Sequence, residues 1–235
     1  MITLDLKIKV HSKEKKYDEK YASNYLQRRQ KSLNEDKEYF KNLFSKYNIN
    51  LSNKNVLDLA AGAGVDLKIL SDFNPKRLIW HDKMDGAYKL AKKYLERLDN
   101  VIFNKKDLMD LKIYEDKSVD FVICRSSLYY IGNDYYFFKR IKKLLTTEGF
   151  FWATNNTFEY YQKNLMSNES LTKKLRHKFF DWPLYKFTGL RLFTFLPVDK
   201  NRLNYLFKKL NFNIIFLKEK ENNIEFLIKK SNFIK

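Results

Sequence analysis

Three aspartates, Asp58, Asp82 and Asp107, each fall in or just after a short apolar run: "NVLDL", "RLIWHD" and "VIFNKKD". Asp at the end of a strand is common as a cap or turn residue, and for one aspartate that reading suffices. Three successive strands each delivering a carboxylate to one edge are more specific. The first run opens into "AAGAG", Ala60 to Gly64, a turn of small residues. Small side chains let a ligand approach the backbone, and a helix starting there supplies N–H donors. Such a turn holds a pyrophosphate, another adenosine cofactor, or only a tight bend. The dinucleotide fingerprint G-x-G-x-x-G is matched by Gly62 and Gly64 but has Leu67 at its third glycine, which disfavours a pyrophosphate. Asp82, 18 residues beyond Gly64, is placed to accept hydrogen bonds from both hydroxyls of a ribose.

The elements that must carry these residues follow from hydrophobic period. "NVLDLA", "RLIWHD", "NVIFNKKD", "VDFVICRSS" and "GFFWATNN", the last introduced by Gly149, read as strands. "VDLKILSDF", Ala87 to Leu98 and "YYFFKRIKKLL" read as helices between them. This alternation predicts parallel crossovers and an α/β, doubly wound sheet with helices on both faces. Residues 157–198 break the rhythm and are aromatic and basic. A helix over Asp199 to Leu210 and a hairpin turning near Asn222–Asn223 complete the chain, so the last strand runs antiparallel. Ahead of the sheet, residues 1–10 alternate as a half-buried strand that pairs at an edge or with a second subunit, and Tyr17 to Tyr47 reads as one or two amphipathic helices. The expected organisation is residues 1–50 as N-terminal strand and helical cap, and 51–235 as the main domain with 157–198 inserted.

These stretches resemble the class I S-adenosylmethionine-dependent methyltransferases of small-molecule type over most of residues 17–156 and the terminal hairpin. "VLDLAAGAG" is similar to the family's D-x-G-x-G-x-G, "IWHDKMDGAYKLAKKY" to its acid-plus-helix motif, and "VIFNKKDLMDL" and "VDFVICRSSLYYI" to the third and fourth motifs. "YDEKYASNYLQRR" resembles the opening helix of small-molecule members such as the quinone-biosynthesis methyltransferases. The resemblance implies a Rossmann-like, seven-stranded, mostly parallel sheet with an antiparallel last strand, a helical N-terminal cap, and a lid between the fifth and sixth strands. It implies S-adenosylmethionine as cofactor. Asp58 and the backbone at Ala60, Gly62 and Gly64 would hold its methionine end, and Asp82 its ribose. Lys83 and Met84 would flank the adenine, Asp107 would meet the adenine amine, and Leu108 would line the ring. Arg125 and Ser126 would border the methionine moiety. Ala60 departs from the pattern by replacing the first glycine; its methyl is tolerable at negative φ and costly at positive φ.

Methyl transfer from a sulfonium needs orientation and, for an acidic nucleophile, a base. His11 and His177 lie in the expected cap and lid and are candidate bases; His81, beside Asp82 on a strand, reads as structural. Tyr17, Tyr21 and Tyr25 recur at i, i+4, i+8, either as a packed face or as a helix closing over the acceptor. Tyr129 and Tyr130 follow the fourth strand and Asn155 and Asn156 close the fifth, all placed to meet an acceptor; Tyr129 is a further catalytic candidate. Cys124, the one cysteine, reads as a small core residue, and no metal-ligand spacing occurs.

The net charge of +18 suggests anionic partners, but the stretches 1–50, 51–156, 157–200 and 201–235 each carry +4 or +5. A field so evenly spread lacks the patch and motif of a nucleic-acid binder and fits the Lys, Asn, Ile, Phe and Tyr usage of an AT-rich genome. No apolar stretch reaches membrane-spanning length. The absence of a signal peptide and the lone cysteine point to the cytoplasm. The expected acceptor is a small metabolite, a sugar, phosphorylated or secondary-metabolite group methylated on O or N in biosynthesis. The alternatives are an RNA methyltransferase and an inactive binding or scaffold protein, and the N-terminal strand offers a route to a homodimer.

Overall fold

The computed structural model describes residues 19–161, 163, 170–190 and 196–231; of Glu19, Tyr21 and Phe158 only the backbone is described. The expected strand over residues 1–10 lies outside these residues. Seven strands form one sheet in the order β3-β2-β1-β4-β5-β7-β6. They are β1 Asn55–Leu59, β2 Arg77–His81, β3 Val101–Asn104, β4 Val119–Arg125, β5 Leu145–Asn156, β6 Phe212–Lys220 and β7 Asn223–Lys230. The contacts gather into two compact units, one ending at Cys124 and the other beginning at Arg125.

In the first unit, helices α1 (Glu19–Lys31) and α2 (Leu33–Tyr47) are the two predicted at the N-terminus. Phe40, Leu43 and Phe44 form the buried stripe of α2, and the Phe44 ring meets Phe73 at 4.8 Å and Phe121 at 5.4 Å. Strands β1, β2 and β4 are near-continuous apolar runs, as parallel strands covered on both faces must be. β1 pairs in parallel with β2 and β4, and β2 with β3. Leu59 stands opposite His81, and His81 opposite Asn104, so these three strands end in line. Helix α3 (Val65–Leu70) follows the first turn, then a 3-10 turn at Ser71–Phe73 ends at Asn74 with φ 53°. Helix α4 (Asp85–Tyr94) starts two residues before the predicted Ala87 and stops four short of Leu98.

In the second unit, helix α5 (Asp134–Leu144) runs directly into β5. The strand therefore begins four residues before Gly149, because Leu145 already turns to extended backbone with ψ 135°. The short turn α6 (Phe158–Tyr160), helix α7 (Leu171–Arg176), a π-helical turn His177–Asp181 and helix α8 (Trp182–Thr188) fill the predicted insertion. Helix α9 (Lys200–Lys209) leads to the hairpin, whose loop is Glu221–Asn222, one residue earlier than read, with Glu221 at φ 45°. β7 is antiparallel to both β5 and β6, the predicted antiparallel last strand. Phe138, Phe151, Phe207 and Phe226 interlock at the core of this unit, with centroids 4.9–6.1 Å apart.

Candidate functional site

The register of β1 to β3 delivers Ala60, Asp82 and Lys105 to the same edge, one residue past each strand end. The β1 turn is tied to β2 by its backbone. The N–H groups of Ala60 and Ala61 both donate to the His81 carbonyl, at 2.8 and 3.3 Å. Trp80 Nε1 donates to the Gly62 carbonyl at 2.8 Å. Asp82 completes the clamp: one carboxylate oxygen accepts the Gly62 N–H at 2.9 Å and the other accepts the Met84 N–H at 2.9 Å. Asp82 is buried, and that burial pushes its carboxyl above the ordinary value against the pull of these N–H groups.

Ala60 lies at φ 56°, in the left-handed region that favours glycine. The condition under which the alanine is costly is therefore the one that holds, by about 1–2 kcal/mol. Gly62 and Gly64 are also left-handed, at φ 53° and 83°. A methyl on Gly62 would meet no heavy atom within 4 Å, so the turn presents open space there. At Gly64 it would sit 2.6 Å from Leu95 Cδ1. Gly62 keeps a surface bare, whereas Gly64 lets the turn pack.

Asp58 is buried in β1. Asp107 is half-exposed beyond β3, where its carboxylate meets Lys83 Nζ at 3.2 Å and accepts the Met109 N–H at 3.0 Å; Leu108 beside it is buried. His81 is structural, as read. Its Nε2 lies 2.8 Å from the Asp107 carbonyl, which can only accept, so the proton sits there and Nδ1 accepts from the Tyr114 hydroxyl at 2.7 Å. Burial depresses its basicity and keeps it neutral.

Helix α1 is fastened to these turns by a residue that the sequence reading did not single out. Arg29 donates to Asp66 in the first turn of α3 at 2.9 Å and lies 3.3 Å from Asp36. No local spacing signals the Arg29–Asp66 pair, 37 residues apart. Tyr25 is half-buried on α1 with the Arg28 guanidinium 5.9 Å from its ring centre. His11 and Tyr17 lie outside the described residues, as does the Tyr21 side chain.

The remaining candidates belong to the second unit. The Arg125 guanidinium stacks 5.0 Å above the Trp152 ring. Ser126 sits at φ 53°, its N–H donating to the Thr154 carbonyl at 2.7 Å. The Tyr129 and Tyr130 rings pack 4.4 Å apart. Asn155 is buried, and among the described residues its Oδ1 has no hydrogen-bond partner. One turn beyond β5, Tyr161 donates its N–H to the Thr157 carbonyl at 3.1 Å, and its ring stands edge-on to His177 with centroids 6.3 Å apart. His177 and Asp181 are both buried, with Nδ1 3.0 Å from Asp181 Oδ2. Arg176 Nε also reaches Asp181 Oδ2, at 3.2 Å. The His177–Asp181 pair has a sequence signal, H-x-x-x-D at helical i, i+4 spacing.

A parallel sheet with an antiparallel final hairpin, a small-residue turn after β1 and an acid after β2 defines a Rossmann-like methyltransferase rather than a dinucleotide-binding dehydrogenase. The chain belongs to the methyltransferase-domain family, whose model matches residues 50–211, and it is an S-adenosylmethionine-dependent enzyme of that family. Solved structures share the fold. A protein from Methanococcus maripaludis assigned to the S-adenosyl-L-methionine-dependent methyltransferases is 15% identical, with a TM-score of 0.63 over 93% of this chain and 95% of its own. One from Listeria monocytogenes with the same assignment is 17% identical, TM-score 0.61, over 78% and 93%. The methyltransferase CalH in complex with SAH is 17% identical, TM-score 0.60, over 78% of this chain and 53% of its own. No curated protein matches the chain. Among the described residues no helix is long and apolar enough to cross a membrane, and no cluster of metal-ligating side chains occurs.

The residues at the β1–β3 edge fit the cofactor. Asp82 accepts the Gly62 and Met84 N–H groups, one on each oxygen, and the Lys83 backbone as well, and the lone-pair capacity that remains suits the hydroxyls of a ligand. The bare surface at Gly62 suits close approach to the backbone.

Proposed function

We propose that this enzyme methylates an oxygen or nitrogen atom of a small metabolite. The observation that carries the reading is Asn155, a buried polar side chain near the end of β5 whose Oδ1 has no hydrogen-bond partner among the described residues. A buried polar atom costs free energy unless partnered, so this oxygen suits one of the few fixed contacts of a small acceptor. An acceptor carried on a nucleic acid would instead call for a basic patch, and the charge of this chain is evenly spread.

S-adenosylmethionine supplies, when bound, an electrophilic methyl group on a sulfonium. Asp82 would accept the two ribose hydroxyls, Asp58 and the backbone at Ala60, Gly62 and Gly64 would hold the methionine end, and Arg125 and Ser126 would border it. Lys83, Met84, Asp107 and Leu108 would enclose the adenine, with the Lys83–Asp107 ion pair orienting both side chains at its rim. Asn155 Oδ1 would accept a hydrogen bond from the acceptor, with Tyr129 and Tyr130 as further contacts; Tyr25 of helix α1 is a separate candidate. His177 would take the proton that the acceptor must lose, and Asp181 would stabilise the imidazolium so formed. Orientation, not covalent chemistry, is the larger share of the work.

Calorimetric titration with S-adenosylmethionine and its demethylated product tests the cofactor assignment, and binding of neither would sink it. Transfer of labelled methyl from S-adenosylmethionine into a cell extract, separated into small-molecule, RNA and protein fractions, tests the acceptor. Label is expected in the small-molecule fraction. Label confined to RNA would overturn the acceptor class while leaving the cofactor site intact.

A further inference from the structure

His81 closes β2 and stands opposite Asn104, the last residue of β3, and its side chain reaches the loop that follows β3. A fully buried histidine in an apolar strand costs free energy unless both ring nitrogens are satisfied. Here both are, and the partners fix the direction of each bond. The Asp107 carbonyl can only accept, and the Asn104 amide nitrogen can only donate. The protons therefore run one way. Asn104 Nδ2–H donates to the Tyr114 hydroxyl at 3.1 Å, and that hydroxyl donates to His81 Nδ1 at 2.7 Å. His81 Nε2–H then donates to the Asp107 carbonyl at 2.8 Å. Burial keeps the imidazole neutral, as an accepting Nδ1 requires.

The same residue holds the other side of the site through its backbone. The His81 carbonyl accepts the Ala60 and Ala61 N–H groups of the turn after β1, and Asp82 is the next residue. One residue thus ties the turn after β1 to the loop after β3, with the ribose-binding acid between them. β3 is the edge strand of the sheet, so the loop after it is steadied from the β2 side. The Lys106 N–H donates to the Asp82 carbonyl at 3.1 Å, and the imidazole holds Asp107 itself. The Asp107 carboxylate is half-exposed and meets Lys83 Nζ and the Met109 N–H, so where it points depends on where this loop is held.

Position matters here because of what a purine shows along one edge. Adenine carries an amine at position 6 beside an accepting N1, and hypoxanthine carries an oxygen at position 6 beside an N1–H. A carboxylate opposite position 6 accepts from adenine and repels hypoxanthine. Allowed to slide to the neighbouring position, it would accept the hypoxanthine N1–H instead, and the preference would vanish. Discrimination of this kind requires the acid to be held to within about 0.5 Å by the groups behind it.

We propose that His81, through the relay from Asn104 and Tyr114 to Asp107, is the positioning residue that makes the cofactor site selective for a 6-amino purine. The proposal rests on the reading above in which Asp107 meets the adenine amine.

Calorimetric titration of the full-length enzyme with S-adenosylhomocysteine and with S-inosylhomocysteine tests this. The wild type is expected to prefer the adenosyl ligand by about tenfold or more, the worth of one hydrogen bond to a charged group. Tyr114→Phe, which deletes one hydroxyl from the relay, and His81→Leu should weaken the adenosyl ligand while sparing the inosyl one, so that the ratio falls toward one. Both leave the His81 carbonyl in place to anchor the turn after β1. His81→Gln, whose amide can still donate to the Asp107 carbonyl, should restore part of the preference. A relay that merely packs would weaken both ligands by the same factor as Tm falls. An unchanged ratio in Tyr114→Phe and His81→Leu would overturn the proposal, as would a His81→Gln enzyme no more selective than His81→Leu. Tyr114→Phe keeps the ring and its packing, and it carries the test if His81→Leu does not fold. Asp107→Ala separates the two readings. Wild-type preference in that variant would remove Asp107 from the adenine and sink the proposal with it. Preference lost in Asp107→Ala but kept in the relay variants would overturn the role of His81 alone.

Discussion

Asp82 holds the β1 turn through Gly62: a carboxylate oxygen on the loop after β2 accepts an N–H from the loop after β1 at 2.9 Å, while its partner oxygen caps Met84. The same carboxylate thus shapes the turn and, in the proposed site, would also accept the ribose hydroxyls. Asp82→Ala removes both functions at once. A lost charged hydrogen bond is worth about 1.5–3 kcal/mol, which translates to a 10- to 100-fold drop in S-adenosylmethionine affinity. Calorimetry measures this directly. Asp82→Asn keeps the shape but turns one acceptor into a donor, and it should lose most of the same affinity with a smaller fall in Tm.

Ala60 at φ 56° stores strain that its neighbours impose, since its N–H is pinned to the His81 carbonyl at 2.8 Å. Replacing it by glycine removes about 1–2 kcal/mol of left-handed strain, against about 0.5–1 kcal/mol of added unfolded-state entropy. The expected outcome of Ala60→Gly is a net gain of about 0.5 kcal/mol, or ~1–2 °C in Tm. Gly64→Ala should go the other way, because φ 83° and the 2.6 Å approach to Leu95 Cδ1 act together. Thermal melts of the two variants side by side would show opposite shifts; a lower Tm for Ala60→Gly contradicts the strain.

The physical reasons for what the sequence revealed are local. A period-two or near-continuous apolar run needs no partner to be recognised, so every strand from β1 to β7 was legible, as was the antiparallel end of the sheet. Register then follows from the parallel crossovers and carries Asp82 to the edge beside Ala60. What was not legible depended on pairs far apart in the chain: Arg29 with Asp66, Trp80 with the Gly62 carbonyl, His81 with Tyr114. The sign of φ at Ala60 was equally hidden, because glycine at that place would have announced it and alanine does not. The burial of His177 and exposure of Phe179 were lost for a different reason. Hydrophobic patterning assigns apolar residues to the buried face, whereas here His177, Asp181 and Tyr185 take it and Leu171, Leu175 and Phe179 are exposed.

Gly189 ends α8 at φ 76°, and a methyl there would lie 1.9 Å from Asp134 Oδ1 and 2.3 Å from an Arg202 guanidinium nitrogen. Those two residues form a buried, two-pronged ion pair, at 3.0 and 3.1 Å, that joins α5 to α9. Gly189→Ala therefore forces apart a buried pair, whose disruption costs about 3–5 kcal/mol, in addition to the backbone strain. Arg202→Met should cost a similar amount by leaving the Asp134 carboxylate buried alone. Asp134→Leu with Arg202→Met should recover a large part of it. Urea melts of Asp134→Leu, Arg202→Met and the double test this; additive losses would show that the pair is not coupled.

Glu225 on β7 accepts the Trp152 Nε1–H at 2.9 Å, and burial pushes its carboxyl up to about 7 from an ordinary 4.5. In that window the folded chain keeps the proton and the unfolded chain has released it. The folded state binds more protons, so stability is highest below pH ~4.5 and falls as pH rises toward about 7. Glu225→Gln preserves the bond to Trp152 and has no proton to lose. The variant should match the wild type in acid and exceed it by about 1–3 kcal/mol above neutrality. A constant difference between the two across the pH range would contradict the assignment.

His177 and Asp181 sit 3.0 Å apart on successive turns of the same helical run, with Tyr161 against the imidazole. The proposed role makes a prediction that mere packing does not. If His177 takes the acceptor's proton, His177→Gln lowers kcat by about 100- to 10,000-fold, the range of a positioned base. It would leave S-adenosylmethionine affinity within about twofold, because the cofactor contacts proposed above lie on other residues. Asp181→Asn should cost less, since it leaves the imidazole present but unsupported when charged. The acid limb of the kcat profile, where a protonated His177 cannot act, should vanish in His177→Gln. If instead the pair only packs the run Leu171–Thr188, both variants lose Tm and turnover together and the residual activity keeps the wild-type pH dependence. Cofactor titration, thermal melts and kcat against pH on the three proteins separate these outcomes.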